Sequence, residues 1–185
     1  MKVTSLALAN YVLDIAEASR VDVSWLKLQG MAYFCHGYHL AVTERPLIDE
    51  QVEAARFGPV IPSLLDEFSS GEDVRIERRA VDYRFVRGGS VAFGVKQYAI
   101  DRELGPGPVR RMVIRIVDRV WESYGELDDL SLLAEATCEG SPWEQVMKKH
   151  DGCPPKGTDI PNDLLKSYFH QMLLSNRDRS ELASA

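Results

Sequence analysis

The chain has 185 residues, of which 45% are apolar and 27% charged, which suffices for one compact domain with a buried core. Its formal net charge of −6 argues against general binding to nucleic acid, which depends on a surplus of lysine and arginine. No run approaches the roughly 18 uncharged residues of a membrane span, and the first residues lack the pattern of a signal peptide. Three widely spaced cysteines without a CxxC pair suit a reducing compartment, so we expect a cytoplasmic protein that does not associate with membranes.

Two helices are predicted in the first 45 residues. The stretch from Thr4 to Ser19 begins with hydroxyl residues that can cap a helix, and it has one apolar face. Ser24 is a second start signal, and the residues that follow it are apolar on nearly every side until Pro46. This pattern is typical of a helix buried at the centre of a bundle. The predicted fold class is therefore mainly α, a compact helical bundle around a buried central helix at about 24–43.

The middle of the chain is less regular. Prolines from Pro46 to Pro62 favour an extended stretch with an abrupt turn at Gly58 and Pro59, followed by a short helix. Residues 71–100 are rich in arginine and in β-favouring residues, with two adjacent glycines between two such runs. The sequence thus predicts a small β-hairpin insertion near 74–98, within a variable segment at 71–108.

The second half of the chain contains the most regular amphipathic helix. Apolar residues keep helical spacing from Val109 to Tyr124, and a shorter helix is predicted at 128–137. Ser141 and Glu144 have the spacing of a capping box, and a last helix is expected from 161 to 175. We expect residues 1–175 to form a single helical domain, followed by a polar tail at 176–185.

The central helix carries two histidines, His36 and His39. Residues three apart share one side of a helix, so this pair could bind a metal or act as an acid and a base. No third histidine or cysteine falls at ligand spacing, whereas Gln29, Tyr33 and His36 share one polar stripe of the helix. A buried polar stripe has to be hydrogen-bonded, which favours a structural network and predicts neither a metal nor a cofactor.

The remaining polar residues do not form a complete catalytic set. Cys138 could be a nucleophile, but the sequence nominates no base for it, and a packed thiol is favoured. Trp143 is predicted to be a core anchor behind its capping box. Gly30 and Gly37 lie on one helix face, which predicts the close approach of another backbone. Without a nucleophile or acid–base pair supported by an orienting group, the protein is predicted not to be an enzyme.

Three segments form a pattern when they are taken in order. They are LKLQGMAYFCHGYHLA (26–41), EAARFGPVIPSLL (53–65) and LSLLAEATCEGSPWEQV (130–146). Together they resemble the Panacea-domain family, which includes SocA-like antitoxins and the phage-associated GepA proteins. The matching positions are Leu26, Lys27, Leu28, Gln29, Tyr33, Phe34, His36, Gly37, Tyr38, His39, Glu53, Ala54, Gly58, Pro59, Val60, Pro62, Ser141, Pro142 and Trp143.

Three positions depart from the family's usual pattern. Gly30 stands where lysine is usual, Ala55 where tryptophan is usual, and Cys138 where histidine is usual. A role that depends on tryptophan or histidine at the last two positions therefore does not transfer to this chain.

The resemblance implies an antitoxin that binds a cognate toxin protein and neutralises it. SocA-like members include adaptors that deliver the toxin to the ClpXP protease, and a phage- or prophage-encoded transcriptional or DNA-associated regulator is the alternative. Homo-oligomerisation is left open. The residues expected to be structural are Gln29, Tyr33, His36, His39, Gly58, Pro59 and Trp143. The residues expected to bind a partner are Arg75, Arg78, Arg84, Arg87, Arg111 and Arg115.

Overall fold

The computed structural model describes residues 2–69, 75–86 and 92–182, with side chains at 2–69, 75–82 and 95–175. Within these ranges the protein has eight helices and two small antiparallel sheets. The helices are α1 (Ser5–Ser19), α2 (Trp25–Thr43), α3 (Pro62–Phe68), α4 (Ile100–Leu104), α5 (Pro108–Tyr124), α6 (Asp129–Thr137), α7 (Pro142–Lys149) and α8 (Asn162–Leu182). The strands are β1 (Val52–Ala55), β2 (Gly58–Val60), β3 (Val81–Val86), β4 (Ala92–Gln97) and β5 (Asp159–Ile160). The predicted fold class, mainly α with a small β-hairpin, is confirmed.

Helix α2 lies at the centre of the helices, as its all-round apolar sequence predicts. The hydroxyl of Ser24 caps its start by accepting a hydrogen bond from the Lys27 backbone N–H at 3.0 Å. Residues 31–40 are all buried. Helices α1, α3, α5, α6 and α8 pack around it, so most of the core is formed against this one helix.

An aromatic cluster joins α2 to α5 and α8. The ring of Phe169 on α8 is fully buried and makes edge contacts with Tyr33 and Tyr38 on α2, at centroid distances of 5.5 and 4.9 Å. Phe34 stacks on Tyr124 of α5 at 4.3 Å. Such ring pairs contribute about 0.5–1.5 kcal/mol each beyond their buried area, so they hold the three helices in fixed relative positions.

The β-hairpin of β3 and β4 is anchored at its base by a buried asparagine of α1. The side chain of Asn10 donates hydrogen bonds to the carbonyl oxygens of Ala80 and Tyr98, each at 2.9 Å, and accepts one from the Ala80 N–H at 2.8 Å. The strands pair antiparallel from Val81 opposite Gln97 to Val86 opposite Ala92. The two glycines predicted to form its turn lie outside the described residues.

The structure differs from the sequence-based expectation at α8 and at two glycines. Helix α8 runs to Leu182, although the polar sequence after residue 175 lacks the apolar period from which a helix is recognised. A Cβ on Gly30 or Gly37 would meet a side chain, Leu132 of α6 or the Phe169 ring of α8 respectively, so the atoms nearest to both glycines belong to side chains of the neighbouring helices. Large apolar side chains fill the space above both glycines.

None of the helices in the described ranges combines the length and apolarity that a membrane crossing requires.

Candidate protein-binding site

A buried glutamine joins the first and second of the three sequence motifs. The Gln29 side-chain oxygen on α2 accepts a hydrogen bond from the backbone N–H of Ile61 at 2.8 Å, and its amide group donates one to the Ile61 carbonyl at 3.1 Å. Gln29 is only 3% exposed and Ile61 is fully buried. Both ends of the amide are therefore satisfied by one residue of the segment that follows the β1–β2 hairpin, which fixes its position on α2.

The second motif is joined to the third by a tryptophan. The indole N–H of Trp143 on α7 donates to the Ala55 carbonyl of β1 at 2.8 Å. The Ser141 hydroxyl caps α7 by accepting a hydrogen bond from the Glu144 N–H. A capping box also requires the Glu144 carboxylate to accept from the Ser141 N–H, but here it accepts from the Gly140 N–H. Only half of the predicted capping box is therefore formed.

The turn between β1 and β2 needs its glycine for two reasons. Gly58 has φ +152°, and a Cβ there would lie 2.7 Å from the Leu133 side chain of α6. Pro59 is buried next to it and pairs with Ala54 across the strands. Gln29, Gly58 and Trp143 therefore hold α2, the β1–β2 hairpin, α6 and α7 against one another.

The predicted polar stripe of α2 does not form one continuous network. Gln29 and His36 bond to different segments, and the Tyr33 hydroxyl has no hydrogen-bond partner among the described residues. Burial raises the pKa of Tyr33 well above its ordinary value, so the phenol is neutral.

The two histidines also have separate partners. His36 Nε2 lies 3.0 Å from Oδ1 of Asn162 at the start of α8, and its Nδ1 accepts from the Ile48 N–H at 3.5 Å. His39 Nδ1 lies 2.8 Å from the Arg45 carbonyl just after α2. Burial lowers the pKa of His36 to about 4 and lowers that of His39, which keeps both rings neutral.

The thiol of Cys138 contacts the phenol of Tyr168. Its Sγ lies 3.2 Å from the Tyr168 hydroxyl of α8 in a half-buried position, and burial raises the pKa of Tyr168. Across the residues with described side chains, no three of the His, Cys, Asp and Glu groups gather closely enough to hold a metal ion.

The arginines predicted to bind a partner fall into two groups. Arg75 pairs with Asp22 at 3.1 Å, and Arg78 pairs with Glu67, so these two side chains are engaged within the protein. Arg84 lies in β3 at a position without a described side chain, and Arg87 lies outside the described residues.

Helix α5 displays the second group. Arg111 and Arg115 are exposed, and neither forms an ion pair with a residue whose side chain is described. Arg119 continues the row one turn later and contacts Glu122 of its own helix at 2.9 Å. Arg110 is on another side of the helix, where it pairs with Asp101.

An open, mainly apolar groove lies beside this row of arginines, between α2, α5 and α8. Its volume is about 340 Å³. It is lined by Tyr38, Val42, Arg115, Ile116, Arg119, Val120, Ser123 and Leu173. We call it the α5 groove. Val42 is 54% exposed, in contrast to the ten buried residues that precede Ala41 on the same helix.

The α5 groove has the composition of a protein-binding site. Binding sites of this kind place apolar side chains at the centre and polar or charged groups at the rim, with arginine among the enriched residues. The sequence predicted Arg111 and Arg115 as partner-binding residues, which stays a prediction, and it did not point to Val42 and Leu173, which line the groove with Arg115. The sequence did contain one indication that Val42 is exposed: it lies next to the end of the central helix, where the surrounding helices no longer cover an apolar side chain.

Comparisons with known proteins place this chain in a family. The family model described as "Antitoxin SocA-like, Panacea domain" matches residues 28–144. The chain is 30% identical over 144 residues to the protein named "Antitoxin SocA" of Caulobacter vibrioides (strain NA1000 / CB15N), which covers 78% of this chain and 70% of that protein. No solved structure shows significant similarity to the chain. The segments joined by Gln29 and Trp143 lie within the matched region, and the chain belongs to the SocA-like antitoxin family with a Panacea domain.

Proposed function

We propose that the protein is an antitoxin that neutralises a cognate toxin protein by direct contact. Family membership supports the antitoxin role. The observation that favours contact over catalysis is the α5 groove, an open apolar surface bordered by Arg115, which forms no ion pair with a described side chain, and by Arg119, which pairs with Glu122 of its own helix. A surface of this kind contributes to binding free energy when a protein partner covers it.

Polar side chains of the first and third motifs support the same proposal. Gln29, His36 and Trp143 bond to backbone or side-chain groups of neighbouring segments, and these bonds account for them as parts of a scaffold. The scaffold leaves partner recognition to the surface, where α5 and the β3–β4 hairpin are the candidate elements.

Co-expression with the product of the neighbouring reading frame tests the proposal. We expect that product to arrest growth alone, to be harmless with the antitoxin, and to co-elute with it at a fixed stoichiometry. If the product is harmless alone and does not co-elute, the proposed function is wrong.

We further propose that the protein neutralises the toxin in one of two ways, by masking it or by delivering it to ClpXP. The two modes have opposite effects on toxin lifetime. Masking lengthens the half-life of the toxin in cells that contain ClpXP, whereas delivery shortens it and the effect disappears in cells without the protease. Following the toxin by immunoblot after protein synthesis is stopped distinguishes them.

A further inference from the structure

The apolar wall of the α5 groove continues along most of its helix. Val109, Met112 and Ile116 are three and four residues apart and therefore share one face of α5. Val109 is 37% exposed and Met112 36%, and Ile116 lines the groove itself. At a rise of about 1.5 Å per residue, the wall from Val109 to Val120 is about 17 Å long, which matches about three turns of a second helix.

The backbone on both sides of the groove selects a helical occupant. Both walls and the floor are helices, whose backbone N–H and C=O groups are already paired along their own axes. An extended segment would find no backbone partners in the groove and would lose the solvation of its own amides. A helix satisfies its own backbone groups and needs only apolar side chains toward the groove, at spacings of three and four residues.

The charges at the rim select an acidic occupant. Arg111, Arg115 and Arg119 are spaced by four residues and form one row beside the apolar wall. Only Arg119 has an acidic partner among the described side chains, Glu122, and that pair is exposed. Beyond Val42, the adjoining surface carries Lys166 and His170 together with Glu44. The rim is thus basic in a chain of net charge −6.

We propose that the α5 groove binds an amphipathic helix of the toxin that carries Asp or Glu side chains beside its apolar face. This inference rests on the proposed function and adds the chemistry of the contact. The apolar face covers Val42, Met112 and Ile116, and the acidic side chains meet the arginine row. Complementary charge at the rim raises the association rate and favours the register that places the acidic side chains beside the arginine row.

The experiment measures the affinity of the purified full-length protein for the purified product of the neighbouring toxin gene. V42D places a charge in the groove, and R115E reverses the rim. L130D and K149E are matched controls, because Leu130 is 74% exposed on α6 and Lys149 is exposed on α7. We expect V42D to weaken binding by about tenfold or more and R115E to weaken it most at low salt, while both controls bind as the wild type does.

The partner's side of the contact has its own readout. Hydrogen exchange of the complex is expected to show a protected toxin segment with apolar residues at helical spacing and flanking Asp or Glu. Replacing one of those acidic residues by arginine should restore the affinity lost in R115E. All variants are first compared with the wild type in circular dichroism and melting temperature, so that only folded proteins enter the comparison.

Each outcome decides something different. If the wild type binds and V42D and R115E bind equally well, the inference about the groove is overturned and the proposed function stands. If the protected toxin segment is a strand or a basic helix, the inferred chemistry is wrong. If the wild type does not bind the product at all, both the inference and neutralisation by contact fail.

Discussion

Replacing Gln29 by leucine tests whether the first and second motifs are held together as the structure shows. The variant keeps a side chain of similar size but removes both hydrogen bonds to Ile61. The Ile61 N–H and carbonyl would then be buried without a partner, at a cost of about 1–3 kcal/mol each. Burying a leucine in place of an amide offsets about 1–2 kcal/mol. We therefore expect Q29L to lose about 3 kcal/mol of unfolding free energy.

The assay is chemical denaturation followed by circular dichroism, with a thermal melt beside it. For a chain of this size about 1 kcal/mol shifts the melting temperature by about 2–4 °C, so Q29L should melt about 6–12 °C below the wild type. Gln51 lies exposed in the loop before β1, and Q51L is the matched control, expected to change stability by less than about 0.5 kcal/mol. Equal stability of Q29L and Q51L would refute the role assigned to Gln29.

Three further changes have definite expected outcomes. N10L removes the anchor at the base of the β3–β4 hairpin, so limited proteolysis should cut residues 76–98 sooner than in the wild type; an unchanged cleavage rate would contradict this. G37A should lose about 1–2 kcal/mol in denaturant, because overpacking against the rigid Phe169 ring outweighs the better helix propensity of alanine; a gain in stability would show that the ring can move. The folded-state pKa of His36, about 4, lies below its unfolded value of 6.5, so protons favour the unfolded chain as pH falls from 6.5. The wild type should lose about 1.5 kcal/mol more than H36Q between pH 6.5 and 5.0, and parallel losses would refute the buried neutral ring.

Local signals in the sequence predicted where several helices start. Thr4, Ser24 and Ser141 are N-caps in the structure, each with its hydroxyl accepting a backbone hydrogen bond three residues on. Capping depends on a few neighbouring residues, and so does the amphipathic period of α5, which is why both can be recognised without tertiary information. The central position of α2 followed from its all-round apolarity for the same reason.

Contacts between distant residues could not be predicted in this way. The bond from His36 to Asn162 spans 126 positions, and that from Gln29 to Ile61 spans 32. The sequence indicated that these polar groups need partners but not which ones, because any buried donor or acceptor would serve.

Only part of the candidate site, the arginine row, could be predicted from the sequence, and the reason is related. The arginine row lies on one helix and can be recognised from its spacing. The α5 groove lies between α2, α5 and α8, which the aromatic cluster around Phe169 joins, and no single segment encodes the arrangement of three helices. The end of α8 was missed because the charged residues after 175 allow a helix by propensity without marking one by pattern.

The most direct test of neutralisation by contact counts surviving colonies of cells that express the neighbouring toxin gene together with one form of the antitoxin. We predict that the wild type and L130D restore growth, and that a variant combining V42D and R115E does not, although immunoblots show equal amounts of all three. If the combined variant restored growth as fully as the wild type, neutralisation would not depend on the α5 groove. If the neighbouring product never impaired growth, the antitoxin proposal itself would be contradicted.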